Sequence, residues 1–143
     1  MITIFILHSG QPGADPEKTL ASFGNFVLSS HKVVNNSEIN WFVNKNKIYS
    51  EWYCVLYDCE YIDEPLAAAL PVFVEQCNAR GGTWKETISF YKKEGTNKFE
   101  ICPRMFKAYI QLPEAGLLNE GFSKESNTTC LNGWIRRLST AQA

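Results

Sequence analysis

The sequence has no apolar run long enough to cross a membrane and no excess of charge of one sign. Apolar runs such as Ile2–Leu7 and Trp52–Tyr57 have six residues each, far below the roughly 18 residues that a membrane-spanning helix needs. Lysine and arginine total 14 against 15 acidic residues, so no global positive field would gather nucleic acid or anionic lipid. No basic leader precedes the first apolar run. We therefore expect no nucleic-acid partner, no membrane span and no secretion.

Cysteine pairs at metal-binding spacing are also absent, and histidine is scarce. The five cysteines are an odd number at wide spacings, with no C-x-x-C pair. We interpret them as reduced thiols and not as a disulfide or zinc framework. The two histidines, His8 and His31, are too few for a histidine-rich metal site.

The composition is that of one folded domain. The chain has 143 residues, of which 45% are hydrophobic and 13% aromatic, enough for a substantial core. Since no linker or repeat divides the sequence, we expect a single α/β domain over residues 1–143. Residues 123–143 give the weakest pattern, and we interpret them as a C-terminal extension.

The first third of the chain alternates strand and helix patterns. Ile2–Leu7 is apolar and β-branched, which indicates a buried first strand. Asp15 precedes Pro16 and can cap a helix, whose inward face would hold Leu20, Phe23 and Val27. A second strand is expected near residues 31–34, and a short helix within residues 38–49.

Trp52–Tyr57 is apolar at every position. The lack of alternation predicts a strand covered by helices on both faces. After it, Asp63 is expected to cap a helix with Pro65 in its first turn. Pro71 would clash with the preceding turn, which predicts a kink or two abutting helical pieces. Gly81 and Gly82 are expected to end that helix.

The remainder of the chain changes character. Residues 87–91 and 98–102 have strand patterns joined by a glycine-containing turn, and residues 105–112 are expected to add a third strand. Residues 131–138 are predicted to form a short helix, with Arg136 and Arg137 near the negative end of its dipole.

Two acids directly follow the fully apolar strand. Asp58 and Glu60 would lie at its carboxyl end, where ligands collect in open α/β sheets. Two neighbouring carboxylates can hold a hard divalent cation, which in turn can neutralise a nucleotide diphosphate. The alternative is that both acids only end the strand and stay solvated.

This block resembles the family 2 glycosyltransferases with the GT-A fold, particularly the branch of lipopolysaccharide core sugar transfer. Members of that branch carry Arg-Asn and a short helix, then a tryptophan-containing buried strand that ends in Asp-x-Asp-Glu, then another helix. The same order occurs here in the blocks Lys45-Asn46-Lys47-Ile48, Glu51-Trp52, Val55-Leu56 and Asp58-Cys59-Glu60. The resemblance implies a compact, shortened GT-A-like mixed sheet with flanking helices.

Two further blocks extend the resemblance to about residues 41–122. Arg104-Met105-Phe106-Lys107 is similar to the Arg-Leu-Phe-Arg strand of the family, and Asn119-Glu120 stands where the family has His-Glu. Only 57 residues precede Asp58, so we expect the half that binds the base to be shortened or lost relative to full-length members.

The resemblance implies a site for a nucleotide-diphosphate sugar. It implies Mg²⁺ or Mn²⁺ at Asp58 and Glu60, and phosphate or acceptor at Arg104, since a guanidinium donates two parallel hydrogen bonds. Asn46 in the first block and His8 at the end of the first strand are the other candidate ligand-binding residues.

The candidate catalytic residues are Asp58, through the metal, and Glu120 as a general base that deprotonates an acceptor hydroxyl. The first hypothesis is therefore metal-dependent sugar transfer from a nucleotide-diphosphate sugar to a hydroxyl acceptor. The alternative is a non-catalytic binding or structural module that retains a degenerate glycosyltransferase fold, such as a phage virion protein. The expected location is the cytoplasm for the first, and for the second a virion, with virion proteins or further copies of the chain as partners.

Overall fold

The structure is a computed structural model and describes residues 1–45, 48, 50–79, 87–94, 98–112 and 129–138. Within these ranges the chain forms three helices and seven strands that belong to one sheet. In chain order the elements are β1 (Ile2–Leu7), α1 (Pro16–Ala21), β2 (Val27–Val33), α2 (Asn36–Asn44), β3 (Trp52–Tyr57), β4 (Glu60–Ile62), α3 (Glu64–Ala79), β5 (Thr87–Glu94), β6 (Lys98–Lys107) and β7 (Thr129–Arg137).

The sheet is mixed, with the strand order β2-β1-β3-β6-β5-β7-β4. Strands β2, β1 and β3 are parallel, and β6 is antiparallel to both β3 and β5. Strand β7 is parallel to β5 and antiparallel to β4. The predicted α/β class, with a mixed sheet and flanking helices, is confirmed.

Strand β3 lies at the centre of the core, and its two faces belong to different hydrophobic clusters. Trp52, Cys54 and Leu56 pack in the cluster that contains the buried side chains of α3. Tyr53 and Val55 pack in the cluster that contains Ile39 and Val43 of α2. This confirms the prediction of a strand covered on both faces, and it explains why the sequence of β3 does not alternate.

Helix α1 is shorter than its apolar pattern suggests. The Asp15 side chain accepts hydrogen bonds from the backbone N–H groups of Glu17 and Lys18, as predicted for the N-cap. The helix ends at Ala21, and Gly24 follows with a positive φ of 65°. Phe23 still packs in the core. Val27 opens β2, so its assignment to the helix face is wrong.

Helix α2 starts at the Asn35 cap, which confirms the helix predicted in this region. Asp63 caps α3, because its Oδ1 accepts from the backbone N–H of Leu66 at 3.2 Å. That helix contains Pro71 and is assigned as one continuous element, not as two abutting pieces. Gly81 and Gly82 lie outside the described residues.

No helix in the described part of the chain has the length and apolar character to cross a membrane.

Strands β5 and β6 confirm the two strands predicted after α3. The strand expected at residues 105–112 is wrong, because residues 105–107 end β6 and residues 108–112 are not strand. The helix expected at residues 131–138 is also wrong. This segment forms β7, which pairs with β5 on one side and with β4 on the other.

Backbone hydrogen bonding and a close approach to α3 explain why the segment is a strand. The backbone N–H of Trp134 donates to Asp63 Oδ1 at 2.9 Å, and the N–H of Asp63 donates to the Trp134 carbonyl at 3.0 Å. Gly133 has a φ of 106°, and a Cβ there would lie 2.6 Å from Leu66 Cβ. A glycine is therefore required where β7 passes the start of α3.

Candidate functional site

The order of the parallel strands reverses beside β1. From β1 the chain crosses through α1 to β2 on one side, and then through α2 to β3 on the other side. The last residues of β1 and β3, Leu7 and Tyr57, are register partners, so both strands end at the same edge. In open α/β sheets such a reversal opens a crevice at the carboxyl ends of the strands, and ligands bind there.

Backbone hydrogen bonds hold the segments that leave this edge. The N–H of Asp58 donates to the Leu7 carbonyl at 2.9 Å, and the N–H of His8 donates to the Val33 carbonyl at 3.1 Å. The Asp58 carbonyl in turn accepts from the N–H of Asp15 at 2.8 Å. The residues that follow β1 and β3 are therefore fixed against each other and against the cap of α1.

Asp58 is 6% exposed and holds the loop after β1. Its Oδ1 accepts from the backbone N–H of Ser9 at 3.0 Å and from the Ser9 hydroxyl. Its Oδ2 lies 3.5 Å from His8 Nδ1. One carboxylate oxygen is thus fully used within the protein, while the other keeps room for a further donor.

Glu60, at the start of β4, is 1% exposed and has four donors around its carboxylate. Oε1 accepts from Arg104 Nη1 at 2.6 Å and from the backbone N–H of Tyr57 at 2.9 Å. Oε2 accepts from Arg104 Nη2 at 3.0 Å and lies 2.7 Å from Lys92 Nζ. A carboxylate offers about four lone-pair positions, so Glu60 has none left for another ligand.

The two cations decide the ionisation of Glu60. Burial raises the pKa of this carboxyl, but the charges and hydrogen bonds of Arg104 and Lys92 outweigh burial and lower the pKa to about 2. Burial lowers the pKa of the Lys92 ammonium, and the adjacent Glu60 more than offsets this and raises it. All three groups are therefore charged at neutral pH.

A cavity of about 310 Å³ opens beside these residues, lined by His8, Ser9, Gln11, Tyr57, Cys59, Glu60, Lys92 and Arg137. Arg137 reaches its rim because β4 and β7 are antiparallel with Arg137 opposite Glu60. Its Nη2 donates to Gln11 Oε1 at 2.8 Å. A second cavity of about 230 Å³ shares His8 with the first and is also lined by Asp58. The crevice at the strand ends therefore contains two adjoining concave surfaces.

The structure brings together four of the six residues that the sequence singles out. His8 and Asp58 lie at the end of β1 and β3, and Glu60 joins Arg104 behind the cavity. Arg104 is 2% exposed, and both of its Nη atoms bind Glu60, so it does not line the cavity. Asn46 and Glu120 lie outside the described residues.

Sequence reasoning missed Ser9, Lys92 and Arg137. Ser9 belongs to a loop with no regular pattern, and its role depends on Asp58, which is far along the chain. Lys92 lies one residue beyond the strand predicted at residues 87–91, and Arg137 lies in the segment predicted to be a helix. The sequence signal is a basic residue at the end of each predicted element, Lys92 after a strand and Arg137 in a helix, and basic residues at such positions are also common on protein surfaces.

The described residues do not fit a divalent metal at the acid pair. The four donors on Glu60 leave it no free lone pair, so Asp58 Oδ2 is the one carboxylate oxygen of the pair with room. Among the residues that the structure describes, no group of three or more histidine, cysteine, aspartate or glutamate side chains is placed to hold a metal ion. Hard divalent cations require several oxygen ligands.

No family model matches the sequence, and a search of the curated proteins finds no significant match.

Proposed function

We propose that this chain is a glycosyltransferase-like domain that binds a nucleotide-diphosphate sugar in the crevice at the carboxyl ends of β1 and β3. The observation that carries the proposal is the reversal of strand order beside β1, with Asp58 in the wall of the smaller cavity at that point and the larger cavity adjoining it at His8. The resemblance of the β3 segment to family 2 glycosyltransferases supports the same assignment.

Asp58 supplies the polar contact to the sugar or ribose of this ligand. Ser9 donates both of its hydrogen bonds to Oδ1. Oδ2 therefore keeps a lone pair that can accept from a ligand hydroxyl. The Ser9 contacts fix the orientation of the carboxylate before a ligand arrives, so little order remains to be gained on binding. A ligand hydroxyl that donates to Oδ2 is then selected by its position.

Sugar transfer would proceed by attack of an acceptor hydroxyl oxygen on the anomeric carbon of the donor. The bond from that carbon to the diphosphate oxygen breaks, and the diphosphate leaves with the bonding electron pair. The proton of the acceptor passes to a general base, for which Glu120 stays the predicted residue. The sequence also predicts Mg²⁺ or Mn²⁺ for the leaving group, but the four donors around Glu60 leave it no lone pair to bind a metal ion.

The test is isothermal titration of UDP and GDP sugars into the native protein and two variants. Asp58→Asn keeps the size of the side chain and an acceptor for Ser9, and it changes the charge that faces the ligand. Glu17→Gln is the control, because Glu17 is exposed and lies outside both cavities. We expect saturable binding of one donor that is about tenfold weaker in Asp58→Asn and unchanged in Glu17→Gln. Binding of no donor, or equal binding by Asp58→Asn, would contradict the proposal.

A second candidate function is a non-catalytic module that keeps the transferase fold. The observation in its favour is Glu60, whose carboxylate is used entirely by internal contacts. A transfer assay with radiolabelled donor separates the two candidates. Release of nucleotide diphosphate in proportion to the acceptor supports the enzyme, whereas donor binding without release supports the module.

A further inference from the structure

The buried group behind the cavity carries more positive than negative charge. Glu60 contributes one negative charge, whereas Arg104 and Lys92 contribute two positive charges. The bidentate contact with Arg104 alone neutralises Glu60. Lys92 is therefore a surplus cation, held in place by an acid that another residue already balances.

The Lys92 ammonium is placed where its positive charge can bind a ligand. Its side chain is 24% exposed and lines the cavity. An ammonium group has three donors, and the contact with Glu60 uses one of them. The ion pair holds the ammonium at a defined point of the wall, so its two other donors can face into the cavity.

Arg137 adds a second cation at the rim. Its side chain is exposed, and its Nη2 contact goes to the neutral Gln11 side chain, which leaves its charge unbalanced there. Lys92 pairs in register with Ile135 on β7, and Ile135 and Arg137 share one face of that strand. Both cations therefore lie on the same side of the sheet, and both line the same cavity.

The acids at this surface do not cancel the two cations. Among the described residues that line the cavity, Glu60 is the one acid. Its negative charge is already neutralised by Arg104. The volume of about 310 Å³ is at the lower end of the range for small-molecule sites, roughly 300 to 1,000 Å³. A compact anion fits both the charge and the volume.

We infer that Lys92 and Arg137 receive the diphosphate of the ligand directly, in the place where related chemistry would use a divalent cation. This inference rests on the proposed function for the identity of the ligand. An ammonium and a guanidinium at fixed positions neutralise phosphate oxygens as a metal would, and the guanidinium adds two parallel donors. Glu60 then serves to position Lys92 and is not a metal ligand.

The experiment measures binding of inorganic pyrophosphate, UDP and GDP by isothermal titration, once in excess EDTA and once with Mn²⁺. Lys92→Met removes the ammonium and keeps the aliphatic stem, and Lys92→Arg restores a cation. Arg137→Gln removes the second charge at an exposed position. Arg136→Gln is the matched control, because Arg136 precedes Arg137 on β7 and pairs with Asp63, away from the cavity.

We expect binding in EDTA that Mn²⁺ does not strengthen. Affinity should fall about tenfold or more in Lys92→Met and in Arg137→Gln, recover partly in Lys92→Arg, and stay unchanged in Arg136→Gln. If Lys92→Met does not fold, as judged by circular dichroism, the exposed Arg137→Gln and its control decide the question.

The other outcomes separate the inference from the proposed function. Nucleotide binding that disappears in EDTA and returns with Mn²⁺ overturns the inference and leaves the proposed function standing. Pyrophosphate binding in EDTA that Lys92→Met weakens, without binding of any nucleotide or nucleotide sugar, supports the anion site and overturns the proposed ligand. No binding of any probe under either condition overturns both.

Discussion

Replacing Glu60 with glutamine is expected to lower the free energy of unfolding by about 3 to 5 kcal/mol, because it breaks a buried ion pair from one side. Glu60 and Arg104 are 1% and 2% exposed, so water cannot replace the lost charge. Both carboxylate oxygens of Glu60 face donors. The NH₂ group of glutamine would therefore point its N–H donors at other donors in either orientation of the amide. Arg104 would be left buried with its charge uncompensated.

Urea unfolding at neutral pH measures this loss. With an m-value of about 2 kcal/mol/M, the midpoint should fall by about 2 M. Glu17→Gln is the matched control, since Glu17 and its partner Lys32 are both exposed and lie 3.3 Å apart. Exposed pairs contribute about 0 to 1 kcal/mol, and the control should remain within that range.

A double-mutant cycle with Arg104→Met tests the cause and not only the size of the effect. If the cost of Glu60→Gln comes from the stranded guanidinium, the double variant should be more stable than the sum of the single losses predicts. A loss below about 1 kcal/mol in Glu60→Gln, or additive losses in the cycle, would refute the reasoning.

Two further predictions concern pH and the start of α3. The pKa of Glu60 is lowered from 4.5 to about 2 in the folded protein, so its ion pairs stabilise the fold above pH 4.5. About 3 kcal/mol of that stability should be lost as the pH falls from 4.5 toward 2. Urea unfolding across this range checks it, and an equal pH dependence in Glu60→Gln would contradict it. Gly133→Ala should cost more than about 2 kcal/mol, because its Cβ would lie 2.6 Å from Leu66 Cβ. Gly10→Ala, with positive φ but open space, should cost about 1 kcal/mol in the same urea unfolding assay, and equal costs would refute the role of Leu66.

The elements that could be predicted from the sequence are those whose local pattern and tertiary environment agree. β3 is apolar at every position because helices cover both of its faces, and the Asp63 cap precedes α3 directly. Such signals lie within a few residues of the element that they specify. The placement of Asp58 at a strand end follows from the same local pattern.

The remaining features depend on contacts between distant parts of the chain. The four contacts of Glu60 come from β3, β5 and β6, and no local pattern shows that Lys92 and Arg104 reach one carboxylate. The segment that forms β7 contains a glycine and ends in two arginines, a pattern that fits a short helix equally well. Its strand form is decided by the open edges of β4 and β5, which the local sequence does not reveal.

The position of β7 also constrains the order in which the protein folds. Strand β4 has β7 as its partner in the sheet, and Asp63 at the start of α3 bonds to the backbone of Trp134. During synthesis, the pairing of β4 with β7, its neighbour among the described strands, can therefore form only after residues 129–137 leave the ribosome. Because pairing between distant segments is slow, a nascent chain that pauses before this point exposes a strand edge to chaperones or to other nascent chains.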